Sequence, residues 1–288
     1  MRTAKLRRTS RFWLLFIVAA LVGCGRSATP RGPGAAPPAA GSLSERLWTD
    51  VDAAQRIGHA IYLHDKAAAV ATDAVLMSRG GKRDARVTTF ITLAGEGDAF
   101  RVVFIGGSAD EVLVHYEVEL EPGARPKLTR IDPPTPASED VRERYRALRS
   151  ASRFSFQPCP GSYNHVVLPA SIVESTGWIV YLLSATDRSD VMVIGGHHRF
   201  HVSEDGTRVL DHKALSASCI RLDTPAAANA KAKDGLKAQF PFVTHVVSPR
   251  PVETHFFVSL QHRVKLMVVT EGDVWAIDGT APVTRDPL

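Results

Sequence analysis

The stretch 178–211, WIVYLLSATDRSDVMVIGGHHRFHVSEDGTRVLD, decides the fold class. It divides into four β-type runs, Trp178–Leu183, Val191–Ile194, Arg199–Val202 and Arg208–Asp211, broken by short segments of Asp, Ser, Gly and Thr. Similar runs stand upstream at Val87–Leu93, Phe100–Ile105, Val112–Leu120, Lys127–Ile131 and His165–Leu168. Others follow at Thr244–Val247, His255–Leu260, Val264–Thr270 and Val274–Ile277. Segments 101–138 and 178–218 share a strand–turn–strand–strand rhythm, which suggests two related lobes, 43–155 and 156–288.

Helical patterns punctuate these strands. Ser42-Leu43-Ser44-Glu45 has the capping-box spacing, and Leu43, Leu47, Val51, Ala54, Ile57 and Ile61 follow at three- and four-residue steps. The pattern continues through Val70, Ala74 and Met77, with a break expected near His64-Asp65, and stops at Gly80-Gly81. A second helix is expected from Ser138 to Arg149 with Val141, Tyr145 and Leu148 inward, and a third over Ala226–Gln239, weakened by Gly235. Helices set between groups of hairpin-length strands predict an α+β fold, mostly antiparallel sheet with a long N-terminal helix.

The charge has an unusual address. The chain carries 35 Lys and Arg against 30 Asp and Glu, but Arg2, Lys5, Arg7, Arg8 and Arg11 fall in the first eleven residues and no acid precedes Glu45. Without those five cations the signs balance, so the basic pI near 9.2 gives no reason to expect nucleic acid as a partner. Residues 12–22, FWLLFIVAALV, are an unbroken apolar run. As a helix it spans about 16 Å, too short for a bilayer core of about 30 Å but right for the h-region of a signal peptide. Residues 24–42, rich in Pro, Ala and Gly, cannot bury a core and read as a tether to a body at 43–288.

Leu21-Val22-Gly23-Cys24 resembles the lipobox of bacterial lipoproteins. The resemblance implies cleavage of a signal peptide, 1–23, transfer of diacylglycerol to the Cys24 thiol and acylation of the new amine. It also implies membrane lipid as the partner of Cys24, and Gly25 rather than Asp at the next position favours the periplasmic face of the outer membrane. Several acyl chains, each contributing about 0.8 kcal/mol per buried CH₂, make such an anchor effectively permanent. With Cys24 carrying lipid, Cys159 and Cys219 remain as an even pair in an exported chain, which points to a disulfide.

Gly195-Gly196-His197-His198-Arg199-Phe200-His201 is the motif with most chemical potential. On a helix His197 and His201 would share a face and could hold a metal; on the strand expected here, positions four apart are separated by roughly 13 Å. No metal or cofactor is therefore expected. The strand sets His198, Phe200 and Val202 on one face and His197, Arg199 and His201 on the other, the latter a possible ligand-facing stripe or a solvated sheet face. A second stripe, His115, Glu117, Glu119 and Glu121, would pair with it across the sheet if the strands were neighbours. No serine-hydrolase, P-loop or dinucleotide signature occurs.

The segments 163–169, 177–183 and 193–206 resemble exported bacterial proteins, a likeness that brings no activity with it. The expected function is a lipid-anchored envelope protein with a non-catalytic body that binds a ligand or an envelope protein partner. The alternatives are an envelope hydrolase using His197, His198 and His201, and a purely structural envelope component.

Overall fold

Ala53, Ala54, Ile57 and Ile61 bury one stripe of helix α1 (Val51–Ser78), and Ala67, Ala71 and Val75 bury another further along it. At 28 residues the helix is about 42 Å long, enough to cross more than one layer of the body. The computed structural model describes residues 50–108, 111–232, 240–279, 281 and 283–288. The signal segment, Cys24, the tether, the Ser42–Glu45 capping box and residues 233–239 of the third expected helix lie outside these. At the described start of α1 the Asp50 carboxylate accepts from the Ala53 N–H at 3.0 Å. No break occurs at His64-Asp65. His64 is buried, with Nδ1 2.7 Å from Thr92 Oγ1 and its ring edge-on to Phe100. Nor do Val70 and Met77 face inward as the spacing suggested. Both are exposed, and the rotation of the continuous helix brings the alanines down instead.

Three four-stranded sheets and one two-stranded pair follow among the described residues, and the fold is α+β. β1 (Thr89–Ala94), β2 (Phe100–Gly107), β3 (Val112–Leu120) and β4 (Lys127–Pro136) form an antiparallel meander. After α2 (Glu139–Arg153) come β5 (Tyr163–Pro169), β6 (Trp178–Ser184), β7 (Val191–Val193), β8 (His198–Val202) and β9 (Val209–Ala214). Strands β5-β6-β8-β9 make a second antiparallel sheet in that order, and β7 pairs instead with β10 (Arg221–Asp223). Helices α3 (Pro225–Lys231) and α4 (Glu253–His262) precede a third sheet, β11 (Phe242–Thr244), β12 (Leu266–Thr270), β13 (Asp273–Ile277) and β14 (Thr284–Pro287), in which β11 and β12 run parallel. Of the two segments that echo each other in sequence, 101–138 lies in the first sheet, whereas 178–218 gives β6, β8 and β9 to the second sheet and β7 to the separate pair with β10.

The second sheet is the centre of the body. Trp178, Val180, Leu182, Phe200 and Val202 turn one way, into a core shared with α2 and the first sheet. Ile179, Tyr181, Leu183, Val166 and Leu168 turn the other way, into a core shared with α1, α4 and the third sheet. All seven residues of β6 are buried, which is why its sequence is apolar without interruption rather than alternating. The far half of α1 covers the outer face of the first sheet, where Ala67, Ala71 and Val75 meet Val102, Phe104, Tyr116 and Val118.

The run His255–Leu260, expected as a strand, is helix α4. Glu253 through Ser259 are buried at every position, so the helix has no polar face and no 3.6-residue rhythm to read. A short apolar run of this kind takes its form from its neighbours. Here the neighbour is α1, whose Gly58 lies so close that a Cβ would fall 2.5 Å from the Glu253 carbonyl oxygen and 2.5 Å from Phe256 Cβ. Gly58→Ala gains about 1 kcal/mol of helix propensity but must push α1 and α4 apart, at a cost of about 1–3 kcal/mol. A lower urea midpoint for this variant is the expected result; an unchanged or higher one contradicts the close crossing.

Candidate functional site

The alternation of β8 separates the histidine motif onto two faces of a sheet that is covered on both. On the α4 side, Arg199 reaches Glu253, with Nη1 2.7 Å from Oε1, and both side chains are at most 1% exposed. The Tyr181 hydroxyl donates to the same oxygen at 2.9 Å, while Oε2 takes no hydrogen bond from the described residues. Burial pulls the Arg199 guanidinium down in pKa, but the Glu253 carboxylate and Tyr181 beside it more than offset that, and the net shift is upward. Burial, reinforced by the neighbouring carboxylate, holds the Tyr181 phenol well above its ordinary value. Glu253 is fixed by its place in the first turn of α4, so the pair joins that helix to the middle of the central sheet.

His197 stands next to this pair and is fully engaged by backbone. The Ser184 N–H donates to Nδ1 at 3.1 Å and Nε2 lies 3.3 Å from the Val193 carbonyl. That arrangement requires the neutral ring with its proton on Nε2, in keeping with a pKa lowered by burial to about 4. His198 faces the opposite side, where its Nδ1 is 3.0 Å from His212 Nε2 among Phe154, Phe156 and Phe200. Burial and the neighbouring His212 lower its pKa to about 4. His201, at the far end of β8, is partly exposed and lies 2.8 Å from the Thr176 carbonyl. His197, Arg199 and His201 therefore do not converge on one ligand, and the face that carries them is covered at His197 and Arg199 and partly open at His201. The His115–Glu121 stripe is not its neighbour either: β8 pairs with β6 and β9, while Glu117 and Glu119 meet Arg101 and Lys127 in the first sheet. Among the described residues no cluster of three His, Cys, Asp or Glu side chains could hold a metal.

Gly195-Gly196 serves the disulfide. Cys159 and Cys219 are bonded, with Cα atoms 5.7 Å apart, and a Cβ on Gly196, whose φ is +87°, would lie 2.2 Å from Cys159 Sγ. Only glycine fits there.

Sequence reading missed a second polar group beyond the Arg199 pair. His245 Nε2 lies 2.9 Å from Ser248 Oγ, and the His245 and His255 rings meet edge to face with centroids 4.6 Å apart. The Ser248 hydroxyl donates to the Arg250 carbonyl, so the proton between Ser248 and His245 belongs to the imidazole. This polarity is opposite to that of a base activating a serine. The signal for the interior pair was present in the sequence: Arg199 in HHRFHV and Glu253 in PVETHFFV are single charges inside otherwise apolar or neutral runs, the setting in which a charge needs a partner.

Two of the openings on the surface contrast with this closed interior. One, of about 370 Å³, lies between α2, the start of β1 and the start of β5 and is walled by Tyr145, Leu148, Phe156, Tyr163 and Leu182. The other, of about 440 Å³, lies between the middle of α1 and the β3–β4 turn. No protein-family model matches the chain, no curated protein matches it in sequence, and no solved structure matches it in fold.

Two outcomes follow from the buried groups. Glu253→Ala strands the Arg199 charge in the interior and is expected to cost about 3–5 kcal/mol in urea denaturation, with the Arg199→Met, Glu253→Met double variant losing clearly less than the sum of the two single changes. Equal losses would show that the pair is not coupled. The second outcome concerns pH. His64, His197, His198 and His245 all have pKa values lowered by burial to about 4, against 6.5 in an unfolded chain. The unfolded state takes up their protons first, so stability is full above pH 6.5 and falls towards pH 4, each group contributing a slope of up to about 1.4 kcal/mol per pH unit. Acid unfolding followed by circular dichroism is expected within that window; constant stability from pH 7 to 4 would contradict the burial of neutral histidines.

Proposed function

We propose that this protein is a lipid-anchored component of the bacterial cell envelope, held through Cys24 at the periplasmic face of the outer membrane, with a non-catalytic body that binds a ligand or an envelope partner. The observation that carries the non-catalytic half is the commitment of the motif residues to the interior. Both ring nitrogens of His197 are taken by backbone groups, and Arg199 is neutralised by Glu253. His198 points to the opposite face of the sheet and His201 lies against the Thr176 carbonyl at the strand end, so His197, His198 and His201, the three side chains an envelope hydrolase would need, offer no common point of attack on a substrate. The anchoring half rests on the lipobox-like Leu21-Val22-Gly23-Cys24 and the cation-rich start of the chain. The Cys159–Cys219 disulfide supports an oxidising compartment. No described helix is long and apolar enough to cross a membrane.

Metabolic labelling with palmitate tests the anchor. The wild-type chain is expected to carry label and to sediment with outer membranes, and Cys24→Ala to do neither. Label that survives the substitution overturns the assignment, and turnover of an ester, peptide or glycan substrate that disappears in His197→Ala would favour the hydrolase.

A further inference from the structure

Helix α2 carries Arg142, Arg144, Arg146, Arg149 and Arg153. Those in its first half are used: Arg142 and Arg146 pair with Glu139, and Arg144 pairs with Asp140 while lying over the Trp178 ring at 4.6 Å. Arg149 differs. It lies over the Tyr145 ring at 5.6 Å and forms no ion pair or hydrogen bond among the described residues. It lines the 370 Å³ cleft with Tyr145 and Ser152 from its own helix and Phe156, Tyr163 and His165 from the facing wall.

The charge in this cleft is one-sided. Among the described residues it is lined by no Asp or Glu. Three other openings are balanced: Lys66 shares the 440 Å³ groove with Asp98 and Glu121, Arg83 shares a second with Asp84, and Arg188, lining a third, is held by Asp190 at 2.7 Å. His165 adds no second charge. Its Nε2 lies 2.9 Å from the Phe90 carbonyl, its ring stacks on Phe90, and burial keeps it neutral at pH 7. Tyr163 has its oxygen fixed by the Cys159 N–H at 2.8 Å, which turns its ring into a rigid wall. Cys159 is in turn held by the disulfide. The walls are thus mainly aromatic and aliphatic, with Thr88, Thr89 and Ser152 at the lining, and the one charge among the described lining residues is a half-buried guanidinium with no acid there to answer it. The volume lies in the lower part of the range for small-molecule sites, about 300–1,000 Å³.

We propose that this cleft binds a small organic anion, a carboxylate or sulfonate on a one- or two-ring apolar body, with Arg149 pairing the acid group and the tyrosine and phenylalanine rings enclosing the body. The site deepens the reading of the body as a binding module and rests on it. Guanidinium pairs with carboxylates in a planar, two-bonded geometry that lysine does not reproduce. Flat rings against Phe156 and Tyr163 gain both burial and aromatic contact.

The probe is 2-naphthoate, titrated calorimetrically into the full-length protein in detergent, with 2-naphthalenemethanol as the uncharged counterpart. Saturable binding of one naphthoate per chain is expected, weakened at least tenfold in Arg149→Met and partly restored in Arg149→Lys. The neutral alcohol is expected to bind more weakly than naphthoate and equally to all three proteins. Arg149 makes no interior hydrogen bond, so each variant is expected to keep the wild-type melting temperature, which separates loss of the site from loss of the fold. Absence of saturable binding, unchanged affinity in Arg149→Met, or an alcohol bound as tightly as the acid would each overturn the proposal. Such a failure would leave the palmitate label on Cys24 untouched, and loss of that label would leave this titration untouched, so the two readings fail separately.

Discussion

A guanidinium and a carboxylate, both removed from water, fix how helix α4 sits on the central sheet. Arg199 comes from the middle of β8 and Glu253 from the first turn of α4, and Tyr181 of β6 closes the group with its hydroxyl. Two charges taken from water need each other, and removing either leaves the other stranded at a cost of several kcal/mol. Their pairing therefore specifies one docking of α4, against the β6–β8 face and across Gly58 of α1. The surrounding apolar contacts supply most of the burial but would tolerate small slides; the pair and the glycine crossing do not.

Around that joint the body is organised by a sheet whose inner strands, β6 and most of β8, are covered on both faces. β6 gives one side to the core under α2 and the first sheet and the other side to the core under α1, α4 and the third sheet. The consequence for function is direct. His197 and His198, however reactive their type, are interior groups held neutral by burial, His197 between backbone partners and His198 against His212, while only His201 at the strand end is partly exposed. Functional surface has to be sought where sheets and helices meet at their margins. The cleft beside α2 is such a margin: its rigid wall descends from the disulfide through Cys159 and Tyr163, and its single charge comes from the late turns of a helix whose earlier arginines are already paired.

Much of this was legible in the sequence, and the exceptions are instructive. The strand runs from Phe100 to Val202 lie close to their observed places because apolar β-prone residues bounded by turns give a local signal, and Val112–Leu120 coincides with β3. The pairing of Cys159 with Cys219 followed from the parity of cysteines once Cys24 was set aside. The α4 segment was not legible, because a helix buried on all sides carries no amphipathic rhythm and HFFVSL suits a strand equally well. The continuity of α1 through His64-Asp65 was hidden for a related reason. A polar residue on the inner face looks like an interruption until its partner, Thr92, is placed 28 positions away. For the histidine motif the alternation was readable, but not the fact that both faces are covered, since that depends on α4 and on Glu253 more than fifty residues downstream. Arg149 could be recognised as an arginine on a helix; its lack of an acidic partner among the described residues is a property of the assembled fold.

The central claim is that the Arg199–Glu253 joint makes α4 and the central sheet one cooperative unit. Native-state hydrogen exchange followed by mass spectrometry addresses it most directly, because it reports the opening free energy of each segment separately. The account predicts that the amides of β6 and of α4 exchange only through global unfolding, with one shared free energy and one shared dependence on urea. Exchange of α4 at a markedly lower free energy while β6 stays protected would show that the helix opens by itself, and would contradict the account.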